Sequence, residues 1–128
     1  MKRLVAAGAM MMATVLPARA TEWMMCSDGD KASFNVLLGN MSVIAVDTVE
    51  VEFGTKKWST RGGAATLITK GQAFETPDQI MIDVTDGKSD AIVAQLRVFK
   101  ASEGDAYASG GTLRIVGEGA WAVTCSGP

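Results

Sequence analysis

The sequence predicts an all-β domain, one small antiparallel β-barrel or sandwich of about eight strands closed by a single disulfide. Three observations lead there. Apolar and polar residues alternate with period two through most of the chain after residue 20, the pattern of strands with one buried face. Fourteen glycines in 128 residues, many lying between the alternating runs, supply turns. The two cysteines, Cys26 and Cys125, stand near the two ends of the alternating region. A bond between them places the first and last strands side by side, which suits a closed barrel or a sandwich.

The first twenty residues read differently. Lys2 and Arg3 precede an apolar run over residues 4–16, Pro17 breaks it, and Ala18-Arg19-Ala20 offers a small-x-small cleavage site. This is the pattern of a signal peptide. The run has 13 residues, whereas a membrane-spanning helix needs about 20. Cleavage after Ala20 would send a domain of residues 21–128 to the periplasm or outside the cell. That compartment is oxidising, in keeping with a disulfide.

The expected elements follow in order. Residues 22–26 form a short strand and Ser27-Asp28-Gly29-Asp30 a turn, since Asp-Gly suits tight reversals. Residues 31–38 put Ala32, Phe34, Val36 and Leu38 on one face. Gly39-Asn40 turns the chain into 42–46. In 48–53, Val49, Val51 and Phe53 alternate with Thr48, Glu50 and Glu52, the reading of a half-buried antiparallel strand. The polar, basic stretch 54–63 is expected to be a hairpin loop or a short strand around Trp58. Residues 64–69 form a strand, extended through 72–74, and 75–79 a loop around Pro77. Strand 80–85 turns at Asp86-Gly87-Lys88 into the long strand 91–100. The Gly/Ser-rich stretch 101–111 is expected to be a loop, and 112–116 with 120–125 the final hairpin. Trp121 and Val123 share a face with Cys125 and are expected to pack over the disulfide. No stretch reads as an amphipathic helix.

Composition narrows the chemistry. The chain has no histidine, which removes Ser-His-Asp and Cys-His catalysis and the commonest zinc and copper ligand. A disulfide consumes both thiols, and no glycine-rich phosphate loop is present. Without residues 1–20, nine basic side chains face fourteen acidic ones, a net charge of −5. That repels nucleic acid and favours a basic partner. Neither a cofactor nor a metal is expected.

Two acidic groupings offer themselves as sites. Glu50 and Glu52 project from one strand face about 7 Å apart, within the span used by glycosidase carboxylate pairs. Alternating glutamates usually just solvate such a face. Asp83, Asp86 and Asp90 surround a turn that offers calcium some oxygens, but it lacks the EF-hand pattern and has Lys88 in its middle.

The binding candidates are Lys56, Lys57, Trp58 and Arg61, the one patch that breaks the acidic trend, with Tyr107 as a second site. Tryptophan and arginine anchor interfaces more often than other residues. The competing reading buries Trp58 in the core and leaves the cations solvated. The expected activity is non-enzymatic binding of a protein or envelope component.

The stretch Trp-Met-Met-Cys-Ser-Asp-Gly-Asp-Lys-Ala-Ser-Phe over residues 23–34, and Lys70-Gly71-Gln72-Ala73, resemble segments of periplasmic inhibitors of c-type lysozyme. Those inhibitors are small exported β-barrels, so the resemblance implies a barrel that binds a basic muramidase. The family's Ser-Gly-x-x-Tyr loop has no counterpart. Ser59-Thr60-Arg61-Gly62 and Ser109-Gly110 are the nearest stretches.

Overall fold

The computed structural model describes residues 21–39, 44–88 and 90–127. The expected signal peptide and part of the 42–46 strand lie outside the described residues. The rest is a closed barrel of nine strands. They are β1 (Glu22–Ser27), β2 (Ala32–Gly39), β3 (Ala45–Phe53), β4 (Lys56–Ser59), β5 (Thr66–Thr76), β6 (Gln79–Asp86), β7 (Ile92–Glu103), β8 (Ala106–Ile115) and β9 (Gly119–Ser126). They follow one another around the ring in chain order, and β9 closes on β1. The choice between barrel and sandwich is thereby made.

A ring in which every neighbour is antiparallel needs an even number of strands. Nine close here because one pair, β4 with β5, is parallel. Parallel neighbours ordinarily need a long crossover, yet only residues 60–65 join these two. Gly62 and Gly63 make this possible, with φ of +68° and +71°, a region that costs residues with a side chain. The seam is short: Trp58 opposes Thr66 and Ser59 opposes Leu67.

Alternation dictates the core. Phe34, Val36, Val49, Val51, Ile80, Ile82, Val84, Leu96, Val98, Leu113 and Ile115 point inward and are buried, each worth roughly 1.5–3 kcal/mol. Their strand neighbours Ser33, Asn35, Glu50, Glu52, Asp83, Gln95 and Arg97 take the opposite face. This polarity is the reverse of a membrane-spanning barrel. No helix among the described residues is long and apolar enough to cross a membrane.

One end is stoppered by Phe53 and Trp121, whose ring centroids lie 5.0 Å apart, with the Lys31 ammonium 5.6 Å from the Phe53 centroid. At that end Asp28 organises the β1–β2 turn. Its Oδ1 accepts from the backbone N–H groups of Asp30, Lys31 and Ala32. These bonds, led by that from Asp30, hold the Asp28 carboxyl below its usual value. A carboxyl lowered by folding adds stability that is present above its unfolded value of about 4 and is lost as pH falls through the folded value. Asp28→Asn is therefore expected to flatten the acid limb of the stability curve below about pH 4, read from urea midpoints across a pH series.

The cysteines pair as expected. Cys26 and Cys125 oppose each other on β1 and β9 with Cα atoms 4.1 Å apart. Val123 is buried beside them and Trp121 is half-buried against the core.

Two expected loops are corrected. The stretch 101–111 is the end of β7 and the start of β8, turned by Gly104-Asp105 between the paired Glu103 and Ala106. Gly104, with φ +57°, occupies the first central position, as a two-residue type II′ hairpin requires. The glycines that made the stretch look like a loop instead permit close strand approach. A Cβ on Gly111 would lie 1.8 Å from the Arg97 carbonyl oxygen. Gly111→Ala is thus expected to lower stability by about 1–3 kcal/mol or more, measured by urea unfolding. The expected loop 75–79 shrinks to a turn at Pro77-Asp78, with Thr76 and Gln79 already paired.

Candidate functional site

The basic stretch is β4 and the loop after it. Lys56 and Lys57 are exposed on β4, opposite Phe53 and Glu52. Trp58 opposes Val51, so its side chain takes the inner register; it is half-buried and packs against the core. β4 ends where its ladder with β3 loses its regular form, a side-chain oxygen standing in for a carbonyl at the next pair. Thr60 donates its N–H to the Val49 carbonyl at 3.1 Å and accepts the Val49 N–H on Oγ1 at 3.1 Å. The Arg61 N–H goes to Ser59 Oγ at 3.1 Å. Gly62 and Gly63 then reverse the chain.

Beside the seam lies a shallow depression of about 390 Å³, lined by Glu50, Glu52, Lys57, Trp58, Arg61 and Gly62 among others. A smaller one of about 320 Å³ adjoins it, lined by Lys56, Lys57, Trp58 and Thr66 among others. Trp58 borders both. Four of the five binding candidates are therefore brought together.

Their charge is less naked than the sequence suggests. Lys56 pairs with Glu118 in the β8–β9 turn. Lys57 lies 3.7 Å from Glu52, and Arg61 lies 4.0 Å from Asp47 with its Nε donating to Thr48 Oγ1 at 3.3 Å. Exposed pairs of this kind are worth about 0–1 kcal/mol, so they can be exchanged for pairs with a ligand.

Tyr107 is elsewhere. It sits on β8 opposite Ser102, 55% exposed. It lines a depression of about 470 Å³ at the other end of the barrel with Pro77, Lys100, Ser102 and Gly127. The Lys100 ammonium is paired with Glu75 at 2.9 Å there. Past Lys100, whose N–H still reaches the Asp78 carbonyl at 2.8 Å, and past Ser109, whose hydroxyl reaches the Cys125 carbonyl at 3.1 Å, the paired residues of β7 and β8 face only each other. The ribbon over 101–108 projects, exposed on both faces, and carries Glu103 and Asp105 at its tip.

Glu50 and Glu52 do line the larger depression. Glu52 is 46% exposed and engaged by Lys57, which is not the apolar enclosure that makes one carboxyl of a pair a general acid. Asp83 is committed to Arg97 at 2.8 Å. Among the described residues, no cluster of three or more acidic or cysteine side chains is placed to hold a metal ion.

The chain matches no protein-family model, no curated protein and no solved structure.

Sequence reasoning missed two features. The parallel seam was invisible because short and long strands look alike in an alternating pattern. Lys70, read only as part of a resemblance, donates to the Val46 carbonyl at 2.8 Å and so bridges β5 to β3.

Proposed function

We propose that the chain is an exported, non-enzymatic binding module that recognises a protein or envelope component through the depression around Trp58. The observation that carries this reading is the gathering of Trp58, Lys57 and Arg61 at the one parallel seam of the wall. An aromatic edge flanked by cations in weak, exposed pairs has the chemistry of an interface anchor. The signal-peptide pattern and the disulfide support a periplasmic or secreted address.

The test is capture of envelope proteins and peptidoglycan by immobilised residues 21–128. Because Trp58 also packs against the core, surface variants carry the comparison. Lys57→Glu with Arg61→Glu is expected to weaken capture by about tenfold or more while leaving the thermal midpoint nearly unchanged. Undiminished capture by this variant overturns the placement of the site.

A second reading, inhibition of a c-type lysozyme, is favoured by the projecting β7–β8 ribbon. Glu103 and Asp105 at its tip and Tyr107 beside them offer an acidic, aromatic finger to a basic enzyme's cleft. Stoichiometric loss of muramidase activity, relieved by Asp105→Lys, would support it. Full muramidase activity in the presence of excess domain would remove it.

A further inference from the structure

β4 is much shorter than the strands it joins, and the consequence is an incomplete wall. β3 is paired with β4 only from Glu50 to Phe53, and β5 only at Thr66 and Leu67. Past the end of β4, among the described residues, Ala45–Thr48 of β3 and Ile68–Thr76 of β5 have no strand on the side they turn toward each other. Exposure agrees independently. Every residue of β5 from Thr69 to Thr76 is exposed, so both faces as well as the edge meet solvent. An 11-residue strand that buries only Ile68 in full is held chiefly by β6.

We propose that this edge of β5 accepts an extended, acidic polypeptide segment of a partner protein as an added strand. This deepens the binding-module reading and rests on it, since the gap opens directly below the Trp58 depression. Three observations select the occupant. A row of backbone donors and acceptors repeating every two residues, about 7 Å, is matched in full only by another strand. Leu67 and Phe74, 53% and 52% exposed on this strand, provide apolar footing for side chains of the incoming segment. Charge decides the sign. Lys70 reaches from β5 to the neutral Val46 carbonyl, and Arg61 reaches over Thr48, its one carboxylate contact stretched to 4.0 Å. Two cations thus border the gap; of the carboxylates on the same stretches of β3 and β5, Glu75 is taken by Lys100 and Asp47 is the one that Arg61 reaches, so among the described residues Lys70 meets only the neutral Val46 carbonyl. Carboxylates on the incoming segment would replace a neutral acceptor for Lys70 and a long pair for Arg61 with charge-assisted bonds. A lysine on an edge strand and the irregular register between Lys70 and Ala73 also keep the edge from pairing indiscriminately, so selection rests on charge.

The experiment is amide hydrogen exchange on residues 21–128 with a short peptide alternating valine and glutamate, and with its valine–lysine analogue. The glutamate peptide is expected to slow exchange of alternate amides between Thr69 and Thr76, and to bind roughly tenfold more tightly than the lysine peptide. Lys70→Glu, at an exposed position, should reverse that order without moving the thermal midpoint. Equal binding of the two peptides, or no protection of β5 by either, overturns the proposal. So does protection in the protein alone that rises with concentration, because a second copy would then hold the edge. If these fail while Lys57→Glu alone still weakens capture of the partner, the binding-module reading stands without strand addition.

Discussion

Replacing Cys26 and Cys125 by serine is expected to lower stability by about 2–5 kcal/mol. The bond spans 99 residues, and cross-linking a loop of that length removes about 4.7 kcal/mol of chain entropy from the unfolded state in the entropic model. The native state adds a second reason. β1 and β9 are paired only at Met25, Cys26 and Ser27, so the disulfide sits inside the short ladder that closes the ring. At about 4–8 °C per kcal/mol for a domain near 100 residues, the thermal midpoint should fall by roughly 8–40 °C. Circular dichroism melts of the oxidised protein, the reduced protein and the double variant measure it. The latter two should coincide. A fall of only a few degrees would mean that strand pairing alone closes the barrel.

The same seam explains what could be read from the sequence. Cys26 and Cys125 at the ends of an alternating chain implied adjacent terminal strands. Phe34, Val51, Ile82 and Leu96 each lie in runs whose inward face is plain from period-two spacing, because one-residue slips would expose a whole apolar set. The 101–111 stretch failed for a physical reason. Glycine serves both as a turn residue and as a residue that lets backbones approach closely, and composition does not separate the two. Gly104 turns the chain, whereas Gly110 and Gly111 lie within paired strands against the Val123 and Arg97 carbonyls.

The candidate site was legible only in part. Lys56, Lys57, Trp58 and Arg61 are neighbours in sequence, and β4 with its following loop keeps them neighbours in space. Tyr107, a separate second candidate, lies at the opposite end of the barrel. The bridge from Lys70 to Val46 and the open edge of β5 depend on how many residues β4 contributes. That number is set by the Thr60 hydroxyl, which accepts the Val49 N–H in place of a carbonyl, and by two left-handed glycines, neither of which carries a hydrophobic signal.

Phe34→Ala is the other large effect, expected to lower stability by about 3–5 kcal/mol. Phe34 is fully buried and opposes Cys26 on one side and Val51 on the other, both also fully buried. Removing its ring loses both the transfer free energy and the packing around the space it leaves. The surrounding wall is a hydrogen-bonded ladder, and a ladder collapses into a void less readily than loose side chains do. Because Phe34 and the disulfide share the β1–β2 ladder, their losses should not add. Once the β1–β9 closure is released, β1 can move toward the vacated space. The triple variant is therefore expected to be less destabilised than the separate effects predict, by a coupling of about 0.5–3 kcal/mol. Urea unfolding of the four corners of this cycle measures it. Strict additivity would mean that the ring and the disulfide stabilise independent parts of the wall.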